Sequence, residues 1–187
     1  MRLSSLVTLL ALILSVRPCA GAAADGRGLD LAGQSIDPLA NTNRGVVLVF
    51  VTVDCPISNR YMPELQRLAA RHGTNGVAFW LVYPDARLSV DQIRQHTNEF
   101  RCGLPVLRDP GHRLVRLAKA TVTPEAAVFR ARDLIYRGRI DNRYVDFGKA
   151  RPAATKHDLD EVLTQITAGR RVGRSVTRAV GCYIPTE

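Results

Sequence analysis

Six consecutive apolar residues, Val46-Val47-Leu48-Val49-Phe50-Val51, constrain this chain more than any other feature. A strand that is apolar at every position has no face for water, so it needs a sheet covered on both sides. A second run of the same kind, Val77-Ala78-Phe79-Trp80-Leu81-Val82, follows after a helical pattern of Ile57, Tyr61, Leu65 and Leu68 that ends near His72-Gly73. Two buried strands joined by a helix form a crossover unit. Its fixed handedness places the start of the helix at the carboxyl edge of a central strand, where open α/β sheets bind ligands. Cys55 stands at that edge, in Val51-Thr52-Val53-Asp54-Cys55-Pro56-Ile57-Ser58.

The remaining pattern fits the same architecture. A short strand is expected around Gly28 to Leu31, and a helix opened by Ser89 with Gln92 three residues on, the spacing of a capping box. Leu104 to Leu107 reads as a strand closed by the turn Asp109-Pro110-Gly111, and Leu114, Leu117 and Ala118 mark a brief helix. Strands Ala126 to Arg130 and Leu134 to Arg137 form a hairpin, and a last helix runs from about Thr155 to Ala168. The fold class is α/β, a central mixed sheet with helices on both faces. One domain spans residues 25–168, followed by a tail, residues 169–187, that carries Cys182.

The N-terminus has an early Arg2, an apolar run from Leu6 to Val16, and small residues at Ala20, Ala22 and Ala24. Residues 1–24 read as a secretory signal peptide, which makes the protein exported, periplasmic or extracellular. The run is shorter than the roughly 20 residues a bilayer span requires, so no stable membrane span is expected. Arg17 and Pro18 before Cys19 are wrong for a lipid-attachment site. The formal charge of +9 is spread along the chain, and Arg170, Arg171, Arg174 and Arg178 read as a solvated basic tail. Clustered bases with interleaved aromatics, the mark of a nucleic-acid binder, are not found.

Of the 4 cysteines, Cys19 leaves with the signal, so Cys55, Cys102 and Cys182 remain where disulfides persist. Three is an odd number, and the pairing stays open among Cys55–Cys102, Cys55–Cys182 and Cys102–Cys182. A cysteine at a helix start meets free backbone N–H groups and the positive end of the dipole, which favour thiolate. The Ser58 hydroxyl can add a donor, whereas Asp54 disfavours a second negative charge. His72, His96, His112 and His157 show no pair at metal-ligand spacing.

These residues resemble the active-site segment of the thioredoxin fold, in the redoxin branch that includes extracytoplasmic thioredoxin-like proteins and peroxiredoxins. Cys55-Pro56-Ile57-Ser58 occupies the place of the Cys-x-x-Cys motif, and Pro63 the helix-bending position eight residues after the first cysteine. Val122-Thr123-Pro124-Glu125-Ala126 resembles the loop whose cis-proline faces that cysteine. Pro105 to Pro110, Tyr136 to Tyr144 and the tail Ala179-Val180-Gly181-Cys182-Tyr183-Ile184 are similar to bacterial redoxin sequences. The resemblance implies disulfide exchange at Cys55 without a bound cofactor, with Pro56, Thr123 and Pro124 on the substrate side and thiols or disulfides as partners.

Two departures qualify it. Ser58 replaces the second cysteine, so resolving a mixed disulfide needs Cys102, Cys182 or an external thiol. Peroxiredoxins carry Pro-x-x-x-Thr-x-x-Cys and a distant arginine. Thr52 fits, but Leu48 holds the proline position and Thr123-Pro124 lies where the arginine segment falls, leaving Arg60 or Arg143 as substitutes. Alternatives to disulfide exchange are a thiol peroxidase using Cys55, a redox or copper-handling binding module with Cys55 and His112, and a scaffold with an inert thiol.

Overall fold

A computed structural model describes residues 26–40 and 44–185. The signal peptide expected over residues 1–24, and Cys19 within it, lie outside the described residues. The chain begins with strands β1 (Gly28–Leu29), β2 (Ser35–Ile36) and β3 (Gly45–Phe50), helix α1 (Pro56–Gly73), strand β4 (Val77–Tyr83) and helix α2 (Val90–Glu99). Strand β5 (Val106–Arg108), helix α3 (Arg113–Ala118) and strands β6 (Val122–Thr123), β7 (Glu125–Arg130) and β8 (Asp133–Gly138) follow. The hairpin β9 (Tyr144–Asp146) and β10 (Lys149–Ala150), helix α4 (Asp158–Thr167) and strands β11 (Ser175–Val176) and β12 (Cys182–Tyr183) complete it.

The main sheet has the strand order β11-β8-β7-β3-β4-β5-β1-β2. Strands β3, β4 and β5 run parallel, and β7 pairs antiparallel with both β3 and β8. All six residues of β3 are buried, and their alternation divides the core. Val47 and Val49 face α1, α2 and α4 through Leu65, Ile93 and Leu163. Val46, Leu48 and Phe50 face the other way, onto Leu114 and Ala118 of α3. Each such side chain contributes about 1.5–3 kcal/mol by leaving water, which is why the strand tolerates no polar position.

Local chemistry sets the element boundaries. Ser89 and Gln92 form the expected capping box at α2, through Gln92 N–H to Ser89 Oγ at 3.2 Å and Ser89 N–H to Gln92 Oε1 at 2.9 Å. Strand β5 starts at Val106 rather than Leu104, because Pro105 has no N–H to enter the ladder. Helix α4 starts at Asp158, three residues later than the pattern suggested. Asn142 Oδ1 accepts the N–H groups of Thr155 at 2.8 Å and Lys156 at 3.0 Å, which holds those residues outside the helix. On the far side, Asp160 binds Arg71 Nη1 at 2.7 Å and His72 Nε2 at 2.6 Å, clamping α4 to the end of α1.

Candidate functional site

Cys55 is the N-cap residue of α1, with Pro56 in the first turn, where its lack of an N–H costs nothing. The helix continues through Pro63. The Cys55 side chain is wholly buried, and its thiol donates to the Thr123 carbonyl at 3.0 Å. The Thr123–Pro124 peptide is cis, as the resemblance implied. Burial works against a thiolate at Cys55, but the Cys182 thiol and the backbone N–H and hydroxyl of Ser58, all placed to donate to the charged sulfur, outweigh it, so the pKa lies below the ordinary thiol value.

Ser58 has a specific place in this balance. It is fully buried, and its Oγ has no hydrogen-bond partner in the resting arrangement. An unmet buried hydroxyl costs about 1–3 kcal/mol, and a thiolate at Cys55 would offer it an acceptor. Ser58, in the first turn after Cys55, caps no backbone N–H of the helix and lies where a donor favours the charged sulfur.

Cys182 reaches the site through tertiary pairing. Strand β12 runs antiparallel to β6, with Cys182 opposite Thr123 and Tyr183 opposite Val122. The Thr123 hydroxyl donates to the Cys182 carbonyl at 3.4 Å, and Ile184 N–H donates to the Thr121 carbonyl at 3.1 Å. Burial, and then the hydrogen bond and charge of Cys55, push the Cys182 thiol up to about 12. Upstream, β11 lies parallel to β8, and Thr177 Oγ1 meets the Tyr136 hydroxyl at 2.7 Å and accepts from Arg139 N–H at 3.1 Å. The tail is therefore fixed at two points. Among its bases, Arg170, Arg171, Arg174 and Arg178 are all exposed, as expected for a solvated surface.

Two anchors that sequence reasoning missed hold the loops in place. Glu125, buried at the start of β7, accepts from Thr121 N–H at 2.7 Å and Val122 N–H at 3.4 Å and pairs with Arg137 at 3.6 Å. Its signal was a lone charge opening the apolar run Ala126-Ala127-Val128-Phe129. On the other side, Tyr83 Oη meets His96 Nδ1 at 2.8 Å, His96 Nε2 meets Asn59 Oδ1 at 2.8 Å, and Asn59 Nδ2 donates to the Val53 carbonyl at 3.0 Å. Burial keeps His96 toward its neutral form, so one ring nitrogen accepts from Tyr83 while the other donates to Asn59. The chain of bonds fixes the backbone two residues before Cys55. Its signal was His96 three residues after Ile93 on the buried face of α2.

The other expected residues fall elsewhere. Thr52 is half-buried after β3, and no hydrogen bond links it to Cys55. Cys102 follows α2, half-buried against the core, with its thiol raised by burial, and no hydrogen bond joins it to either of the other cysteines. Arg60 and Arg143 line a cleft of about 380 Å³ with Tyr61, Asp141 and His157, which contains neither Cys55 nor Thr52. His112 precedes α3 at its N-cap position, with Nε2 at 3.1 Å from the Pro84 carbonyl. Among the described residues no group of three or more His, Cys, Asp or Glu is placed to hold a metal ion, and no helix is long and apolar enough to cross a membrane.

This geometry is that of a thioredoxin-like fold, and solved structures agree. A hypothetical protein of Sinorhizobium meliloti 1021 matches with a TM-score of 0.69 at 20% identity, over 84% of this chain and 88% of its own. An uncharacterized conserved protein of Geobacillus kaustophilus matches with a TM-score of 0.69 at 21% identity, over 86% and 88%. The thioredoxin domain of a thiol-disulfide oxidoreductase from Bacteroides vulgatus matches with a TM-score of 0.54 at 14% identity, over 75% and 91%. Residues 21–140 match the AhpC/TSA family, and the chain belongs to that family. No curated protein matches it by sequence.

Proposed function

We propose that the protein is an exported thiol-disulfide oxidoreductase whose redox pair is Cys55 and Cys182. The observation that carries this reading is the register that sets Cys182 opposite Thr123, whose carbonyl accepts from the Cys55 thiol at 3.0 Å across the cis-proline loop; Cys55 is held below the ordinary thiol value and Cys182 above it. The Cys55 thiolate attacks one sulfur of a partner disulfide. The partner's S–S bond breaks, one partner thiolate leaves and takes a proton from water, and a mixed disulfide joins Cys55 to the partner. Cys182, losing its proton to water, then attacks the Cys55 sulfur and releases the second partner thiolate. Two electrons pass from the Cys55/Cys182 dithiol to the partner, and the protein is left with a Cys55–Cys182 disulfide.

The pKa directions suit this order. Cys182 holds its proton partly because the Cys55 charge lies beside it. Once Cys55 is covalently bound that charge is gone, and Cys182 deprotonates more readily, as an attacking thiol must. Cys102, away from the pair, has no step in this scheme. Peroxide reduction at Cys55 is less well supported, since the arginines available for holding peroxide line a different cleft.

Oxidised glutathione added to the Cys182→Ser variant tests the reading. Glutathione should accumulate on Cys55 and persist there, whereas in the unaltered chain it should be expelled as Cys182 closes the disulfide. Fast peroxide loss, with a sulfenic acid at Cys55 trapped by a dimedone probe and slow glutathione exchange, would replace disulfide exchange with peroxidase chemistry.

A further inference from the structure

The edge of β6 beside Pro124, where an extended partner segment would pair, is already occupied by the chain's own tail. Each residue of that tail meets the groove differently. Val180 packs against the core on the α1 side, and Ile184 against the core on the α3 side. Cys182 lies opposite Thr123, whose carbonyl accepts from the Cys55 thiol. Tyr183 points outward and is 86% exposed. Gly181 is the tightest point, since a Cβ there would stand 2.1 Å from the Thr123 carbonyl oxygen and 2.6 Å from its carbon. Both atoms belong to the backbone of the cis-proline loop rather than to a flexible side chain, and Glu125 holds the two preceding residues through Thr121 N–H and Val122 N–H. The requirement for glycine is steric, imposed by the groove on whatever chain lies in it.

We infer that the groove beside Thr123–Pro124 selects protein cysteines in extended segments of the pattern apolar-Gly-Cys-x-apolar, and that Val180-Gly181-Cys182-Tyr183-Ile184 is its resident copy of that substrate. This specificity rests on the disulfide-exchange reading of Cys55. A partner displaces the tail, pairs antiparallel with Val122–Thr123, and sets its own disulfide-bonded cysteine where Cys182 stood. The Cys55 thiolate attacks that sulfur, and the partner's other half-disulfide departs as a thiolate. The glycine lets the segment approach closely enough for the two sulfurs to meet. Its replacement by any L-residue with a side chain lifts the segment off the strand. The position after the cysteine faces solvent and is unrestricted. A cleft of about 560 Å³ lined by Phe147, Tyr183 and Cys182 leaves room for the incoming chain beside the tail.

The test uses the full chain carrying Cys182→Ser and two heptapeptides, one with the sequence of residues 179–185 and one with valine in place of its glycine. Each is supplied as the mixed disulfide with 2-nitro-5-thiobenzoate, and the release of the coloured thiolate by Cys55 is timed. Both peptides must displace the same tail, so the ratio of rates reports the groove alone. The glycine peptide should react about tenfold faster or more, the ratio that about 1.4 kcal/mol of overpacking produces. Equal rates, with Cys55 reacting normally with the thiobenzoate disulfide of glutathione, would overturn the specificity and leave disulfide exchange standing. Failure of Cys55 to react with any of the three would overturn the exchange reading and this inference with it.

Discussion

The two cysteines of the site reach it by opposite routes. Cys55 is placed by local structure, since a buried strand ends, a helix begins, and the sulfur falls among the donors of the first turn. Cys182 stands on a two-residue edge strand and is placed by pairing with β6 across 59 positions of sequence, through a contact that only glycine at 181 permits. The first lies wholly buried in the core between the sheet and helices α1, α2 and α4. The second is held by edge hydrogen bonds at β6 and β8 and is the part that, in the proposed cycle, gives way when a partner arrives. In the proposed cycle, a dithiol split in this way keeps its nucleophile fixed and puts the mobility in the resolving half.

Substitutions should separate the two halves. The largest effect belongs to Cys55→Ser, which should abolish exchange with oxidised glutathione and leave thermal stability nearly unchanged; residual exchange through Cys182 alone would reverse the assignment of roles. Next comes Gly181→Val, which should slow closure of the Cys55–Cys182 disulfide about tenfold or more in stopped-flow experiments. Its Cys55 should remain as readily glutathionylated as before. If closure kept its normal rate, the tail would not depend on the Thr123 contact.

Ser58→Ala should act only on the fixed half. The Ser58 hydroxyl favours the anion, so its loss raises the Cys55 pKa and moves the midpoint of iodoacetamide alkylation to higher pH by about half to one unit. Below both midpoints that lowers the rate about three- to tenfold, and at high pH the rates converge. An unchanged midpoint would return Ser58 to a packing role. Smallest is Glu125→Gln, which keeps an acceptor for Thr121 N–H but loses the charge facing Arg137. Urea unfolding should show a loss of about 1–2 kcal/mol, with slower disulfide closure from a looser cis-proline loop. A stability gain would mean that the buried carboxylate is a burden rather than an anchor.

The same contrast explains what the sequence disclosed. The all-apolar run Val46 to Val51, the helical spacing after Cys55 and the Ser89 capping box are local signals, and the structure carries all three where the pattern put them. Ser58 was legible as a residue near the sulfur, but its unmet hydroxyl belongs to the folded core. The tail offered only turn residues and a cysteine, because its two short strands are made by the edges they join rather than by their own propensity. Gly181 looked like part of a turn; its meaning appears only when Thr123 is brought against it. Asn142 likewise moved the start of α4 through bonds from a loop 13 residues earlier.

Peptide mapping of the oxidised protein by mass spectrometry decides whether Cys55 and Cys182 form the working pair. A disulfide linking the Cys55 and Cys182 peptides is expected, with Cys102 recovered as a free thiol. A disulfide linking Cys102 to either of them, with no Cys55–Cys182 peptide pair, would contradict it.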